Sequence, residues 1–239
     1  MSKISERLQR LKDHINAACD RSRRDPGDIK LVVVIKSANF ESVKEIIRLG
    51  QTELGESQVQ QLKKVSAKVA DFLANGKAPS PPPKVNWHMI GHLQRNKVKQ
   101  VLETVSLIHS VDTLRLAEEI NTSAAKMGLC PNVLLQVNSS EEPQKCGVQV
   151  GAAIHLAEQI ETMPNLKLSG LMTMAPLTQN KDVVRACFAR VRELFVEMRG
   201  EKITGQQFTE LSMGMSSDYQ IAVEEGATIL RIGSSLFSD

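Results

Sequence analysis

The segment KLVVVIK, residues 30–36, decides how the rest of the chain is read. Leu31-Val32-Val33-Val34-Ile35 is aliphatic without alternation and bounded by lysines. It is too short for a helix and suits a strand buried on both faces. Such strands occur in parallel sheets, where each needs a crossover, usually a helix. The sequence supplies one directly: Val43, Ile46, Ile47 and Leu49 share one side of a helical stretch that stops at Gly50.

The same unit recurs. TELGE (52–56), VNWHMIG (85–91), SLIHSV (106–111), NVLLQVN (132–138), KLSGLMTM (167–174), QFTELSMG (207–214) and TILRIG (228–233) read as strands. Helical stretches are expected at 57–74, Asn96–Thr104, Thr113–Lys126, Gln149–Thr162, Lys181–Met198 and Ser217–Glu225. An amphipathic helix within residues 1–24, with Ile4, Leu8, Leu11 and Ile15 on one side, precedes them. NGKAPSPPPK (75–84) is a surface loop, too short to join domains. Eight strands, each but the last followed by a helix, predict an α/β protein. It is expected to form a (β/α)8 TIM-type barrel with an extra N-terminal helix, as one domain over 1–239 with the barrel at 30–237. An open doubly wound sheet is the alternative. The turn Lys36-Ser37-Ala38-Asn39 has no glycine, and no G-x-G-x-x-G or P-loop motif occurs, which weakens that alternative.

Composition removes other classes. Hydrophobic residues make 41% and charged residues 24%, which excludes wholesale disorder. Only 3% is aromatic, so the core must be aliphatic. A net charge of +3 is too small to argue for nucleic acid. No apolar run is long enough to span a membrane. The charged N-terminus is unlike a secretory signal, so the expected address is the cytoplasm. The four cysteines form no C-x-x-C pair and read as reduced thiols.

In such barrels chemistry gathers at the C-terminal ends of the strands. Those ends give Lys36, Glu56 and Ser57, His88 and Gly91, Ser110 and Asp112, Asn138, Thr173, Ser212 and Gly214, then Arg231 and Gly233. Lys36 stands out. An ammonium at an apolar mouth loses hydration, which lowers its pKa and frees a nucleophilic amine for a Schiff base with an aldehyde. The plain alternative is a lysine whose stem packs on the rim while its head snorkels to water. Ser212-Met213-Gly214-Met215-Ser216 and Gly233-Ser234-Ser235 follow the last two strands. Small residues there let backbone N–H groups approach an anion, and this fold often binds phosphate at those loops. Arg231, two residues before Gly233, shares its side of the strand and could meet an electron-rich ligand or an inward carboxylate. An imine-forming lysine, a phosphate cradle and an arginine together suit pyridoxal 5'-phosphate.

With those pieces in view, the chain resembles the pyridoxal phosphate homeostasis protein family from about Leu31 to Phe237. The resemblance rests on VVVIK (32–36), GES with Val59-Gln60, WHMIGHLQRNK (87–97) and Val111-Asp112. It also rests on VLLQVNSSEE with Lys145 and Gly147, LSGLMTM (168–174) and LSMGMSSDYQIAVEEGATILRIGSSLF (211–237). It implies an alanine-racemase-like barrel carrying the cofactor on Lys36. Phosphate binding would fall to Ser212, Gly214, Gly233 and Ser234, the ring nitrogen to Arg231, and Met213 would also touch the cofactor. It implies a carrier or regulator of vitamin B6 balance without established catalysis, acting as a monomer toward cofactor-requiring apoenzymes. The family usually has asparagine and tyrosine where this chain has Ser57 and Gln58, so a ring contact from Ser57 would be shorter. The family's final Phe-Gly is Phe237-Ser238 here.

Other patterns carry less. His88 and His92 straddle a strand end and do not share a helical face, so no metal site is expected. Arg95, Lys97 and Lys99 read as a solvated basic face. No G-x-S-x-G elbow occurs. An amino-acid racemase of the alanine racemase type is the competing function, and a barrel acting through partners without cofactor is a third. Racemisation needs a base on each face of the α-carbon. Tyr219, the sole tyrosine, falls in the helix after the seventh strand and reads as helix surface or packing, which leaves His88 as a candidate second base.

Overall fold

The computed structural model describes residues 2–75, 81–140, 142 and 145–238. Within the proline-rich tract, residues 76–80 lie outside those described, as does Glu141 of the SSEE segment. The strands are β1 (Lys30–Val34), β2 (Glu53–Glu56), β3 (Asn86–Met89), β4 (Val105–Val111), β5 (Asn132–Asn138), β6 (Val148–Gln149), β7 (Lys167–Met172), β8 (Glu210–Ser212) and β9 (Ile229–Ile232). Their order is β4-β3-β2-β1-β9-β8-β7-β5-β6, and β4 also pairs with β5. That last pairing closes eight parallel strands into the expected barrel. The two-residue β6 sits outside the ring and pairs Val148 with Val137 at the end of β5. It is too short to leave a pattern in the sequence.

The core has two parts, as barrel closure requires. Val32, Leu107, Leu134, Met172 and Ile229 fill the interior. A far larger layer, including Val33, Ile35, Ile46, Leu54 and Leu230, lies between barrel and helices. Neighbouring residues of β1 therefore face opposite layers, both apolar, which is why KLVVVIK shows no alternation.

The helices are α1 (Lys3–Ser22), α2 (Phe40–Arg48), α3 (Val59–Ala74), α4 (Leu114–Met127), α5 (Val150–Glu161), α6 (Lys181–Gly200), α7 (Tyr219–Glu224) and the short α8 (Ser234–Phe237). Their starts are chemically marked. Asn39 Oδ1 accepts from Ser42 N at 2.9 Å to open α2, and Asn180 Oδ1 accepts from Asp182 N at 3.0 Å to open α6. The helix expected at Asn96–Thr104 is instead a 3-10 segment, Arg95–Gln100, followed by turns. Val98 and Val101 are both fully buried, a three-residue spacing that suits the tighter helix.

Helix α1 buries Ile4, Leu8, Leu11 and Ile15. It docks on α7 through polar contacts as well. Arg24 Nη1, just past the helix, donates to Val223 O at 2.7 Å. Arg21 Nε donates to Glu224 at 2.8 Å, and His14 Nδ1 lies 2.9 Å from the Tyr219 hydroxyl. No helix among the described residues is long and apolar enough to cross a membrane.

Candidate functional site

The C-terminal mouth is assembled by strand register. Val34 pairs with Gly55, and Val33 with Ile232. The chain leaving β1 thus emerges between the segment that opens at Ser57 and the one that opens at Gly233. Val32 faces the barrel interior. Lys36 sits in the turn after β1, where Ala38 N donates to Ile35 O at 2.9 Å. The side chain is exposed, which corrects the expected loss of hydration. The protein alone does not dry this amine; a ligand covering the mouth would have to.

Backbone close to backbone shapes the rim. Glu56 is buried and turns its carboxylate onto the chain ahead, with Oε1 accepting from Ser57 N at 2.6 Å and Gln58 N at 3.2 Å. The Ser57 hydroxyl donates to the same oxygen at 3.3 Å. A Cβ on Gly91 would lie 2.2 Å from Ser57 O, so only glycine lets the loop after β3 approach there. Gly214 has φ +92°, and a Cβ there would meet the Ala222 methyl at 2.5 Å. A Cβ on Gly233 would come within 2.9 Å of Val34 O. Ser234 and Ser235 follow with exposed side chains, at the start of α8. Asp218 ties the turn after β8 by accepting from Met215 N at 2.6 Å, and burial raises its pKa. Met213 packs into the outer core and donates its N–H to Ile229 O at 3.1 Å. Neither its side chain nor its N–H reaches the mouth.

Arg231 lies inside the barrel, with 5% of its surface exposed. Nη1 donates to Ser212 Oγ at 2.6 Å and Nη2 to Thr173 O at 2.9 Å. It meets a hydroxyl and a carbonyl rather than a carboxylate. Burial lowers its pKa to about 10, with Asp218 acting in the opposite sense, so it remains charged at neutral pH. Ser212 is fully buried, and its oxygen lies 2.9 Å from His109 Nδ1. Beneath it, His109 Nε2 is 2.9 Å from His88 Nδ1, and His88 Nε2 is 2.7 Å from Glu53 Oε2. Both ring nitrogens of His88 are thus engaged deep in the barrel, and neither is offered to the mouth. Burial, reinforced by the charge of Arg231, pushes the His109 imidazole well below its usual 6.5.

Sequence reading brought Lys36, Ser57, Gly214, Gly233, Ser234 and Arg231 to this mouth and its lining. It missed Glu53 and His109. The available signal was parity: His109 lies two residues from the inward Leu107, which marks an imidazole inside the barrel. Among the described residues one group of donors could take a metal: His92, Asp112 and Cys146, whose donor atoms lie within 4.8 Å of one another. Three donors, two of them on exposed residues, stop short of a closed four-ligand shell.

A parallel barrel with a lysine in the turn after its first strand and an arginine inside its last has the layout of a racemase-type barrel. Residues 7–239 match the model of the family described as alanine racemase, N-terminal domain. Within that class the chain belongs to the pyridoxal phosphate homeostasis protein family. It is 38% identical to the pyridoxal phosphate homeostasis protein of Aquifex aeolicus over 234 residues, covering 98% of this chain and 97% of that one. The structure of PipY from Synechococcus elongatus with PLP bound aligns with TM-score 0.82 and 33% identity, covering 98% of this chain and 100% of that one. Alanine racemase of Clostridium difficile aligns with TM-score 0.75 at 14% identity, with 59% of its chain covered. That last likeness is one of fold alone.

Proposed function

We propose that this chain binds pyridoxal 5'-phosphate at the C-terminal mouth and serves in its homeostasis without turning over amino acids. The observation that carries the proposal is the placement of Lys36, in the turn that leaves β1 between the segments opening at Ser57 and Gly233. The PLP-bound relative supports it. Bound there, the cofactor supplies an aldehyde that an amine can capture and a ring that can draw electrons.

The chain's own groups divide the work. Lys36 Nζ is the amine that would hold the cofactor through its aldehyde. The backbone at Gly214 and Gly233, with the Ser234 hydroxyl, would hold the phosphate. Ser212 and Met213 act as the strand end that delivers Gly214. Arg231 would meet the ring nitrogen and, having no proton to give readily, would keep the electron sink weak. Ser57 borders the ring. Tyr219 is buried in the helix layer against His14, and His88 is engaged on both nitrogens, so neither supplies a second base at the mouth. The proposed setting is a monomeric, single-domain cytoplasmic protein that hands cofactor to apoenzymes. The free thiols of Cys19, Cys130, Cys146 and Cys187 suit a reducing compartment.

The test is an absorption spectrum of freshly purified protein before and after borohydride, followed by peptide mapping. The reading expects a phosphopyridoxyl label on Lys36. A label found mainly on another lysine, such as Lys145, overturns the site.

A further inference from the structure

The contacts under Arg231 join into one line through the barrel axis. It starts at the N-terminal mouth, where Glu53 borders a polar cleft of about 480 Å³ with Lys30, Asn86, Ser106 and Glu210. It passes through His88, His109 and Ser212 to Arg231. Each link lies between 2.6 and 2.9 Å.

The hydrogens along this line are determined by its ends. Arg231 can only donate, so Ser212 Oγ accepts from it. Ser212 is fully buried and its other hydrogen-bond partner among the described residues is His109 Nδ1, so its own hydrogen goes there. His109 therefore carries its hydrogen on Nε2 and gives it to His88 Nδ1. His88 in turn carries its hydrogen on Nε2 and gives it to the Glu53 carboxylate. With both imidazoles neutral, every donor has an acceptor and the direction is the same at each step. A charged His109 would place two donors against Ser212 and His88, and the complete burial of that ring opposes the charge.

The charged groups around the line agree with this polarity. At the lower end, Glu53 also accepts from Asn86 Nδ2 at 2.7 Å, and Lys30 is held by Glu210 at 2.7 Å. At the upper end, Asp218 is the acidic group that acts on Arg231. Hydrogen bonds from His88 and Asn86 hold the Glu53 carboxyl below its usual range, outweighing the opposing effect of burial.

We propose that Glu53, His88, His109 and Ser212 are positioning residues that act as one directed line, fixing the Arg231 guanidinium and coupling the N-terminal mouth to the ligand face. This use of Arg231 rests on the cofactor reading above; the line itself does not. Its consequence at the mouth is specific. The Ser212 hydrogen points down into the barrel, so Ser212 presents no hydroxyl donor to a phosphate. The Nη1 and Nη2 edges of Arg231 are pinned by Ser212 and Thr173, which leaves its remaining N–H groups in a fixed direction.

The test uses nitrogen-15 NMR of the histidine and arginine side chains in protein without cofactor. Wild type is expected to show His88 and His109 as neutral rings with hydrogen on Nε2, and Arg231 with separately resolved, slowly rotating Nη groups. Ser212→Ala should merge the Arg231 Nη signals and shift His109, and Ser212→Thr should restore both. Glu53→Gln, nearly the same shape at the far mouth, should shift His88 and His109 together. In the cofactor-loaded protein the same Glu53→Gln change should move the pH profile of the bound cofactor's absorption band. His109 found charged or with hydrogen on Nδ1, or His109 signals unmoved in Glu53→Gln, would overturn the line. An altered NMR spectrum with an unmoved absorption profile would overturn the coupling to the ligand face. Failure of the protein to take up cofactor at all would sink the functional reading and leave the NMR outcome to decide the line.

Discussion

Lys36, Gly233 and His109 show three ways in which a single residue matters here. For Lys36 the issue is chemistry: Lys36→Ala should abolish the borohydride-trapped adduct while leaving phosphate-anchored binding partly intact. Spectrophotometry with mass mapping checks this, and an undiminished adduct would contradict it. For Gly233 the issue is space and charge. Its Cβ would crowd Val34 O at 2.9 Å, and Gly233→Asp adds like charge beside a phosphate of about −2. Cofactor retention on dialysis should fall further in Gly233→Asp than in Lys36→Ala. For His109 the issue is protons. Its folded-state pKa lies well below the ordinary 6.5. The unfolded chain therefore binds a proton that the folded chain refuses, and stability falls as pH drops below about 6.5, by up to about 1.4 kcal/mol per pH unit. Above that pH the contribution is fully present. Glu53 adds a second loss at lower pH, because a carboxyl with a depressed folded pKa stabilises only while ionised. Urea unfolding across this range should show a steep slope in wild type and a shallower one in His109→Gln.

At the scale of elements, α1 was visible as an amphipathic stretch, but not its berth. It packs on α7, an element near the other end of the chain, with Leu11 3% exposed. Leu11→Ala should destabilise the protein by about 2–5 kcal/mol. A loss well under 1 kcal/mol in urea unfolding would mean that α1 frays from the barrel. The rim elements depend on glycine in the same way. Gly91→Ala would push a methyl into Ser57 O and should cost roughly 1–3 kcal/mol and weaken cofactor retention together. Strand β1 was legible because both of its faces are apolar. Strand β8 has three residues, Glu210–Ser212, and the sequence suggested eight, since Gln207 and Phe208 belong to the turn leading in. The 3-10 segment at Arg95–Gln100 was read as a helix because a spacing of three fits either winding over so few residues.

For the whole molecule, the functional question is whether this racemase-type barrel turns over amino acids. Exchange of the α-proton of L-alanine in deuterated water should stay well below about 1 s⁻¹, the lower end of ordinary enzyme rates. Exchange at or above that rate, lost in Lys36→Ala, would favour a racemase.

The sequence alone determined the count and type of the barrel strands, the lysine at the end of the first and the small-residue loops after the last two. These are local features: an apolar run, a helical period and a turn each leave their mark within a few neighbouring residues. It also supplied the parity that places Arg231 and Gly233 on one side. Only the tertiary structure decided that β4 closes on β5, and with it which residues share the interior. Glu53, His88, His109, Ser212 and Arg231 come from five different strands. Their order along the barrel axis is set by parallel register between strands, and register is a property of pairs of segments far apart in the chain. The exposure of Lys36 and the downward turn of the Ser212 hydroxyl follow from the same cause. What surrounds a strand end depends on the neighbouring strands, and no stretch of local sequence records that.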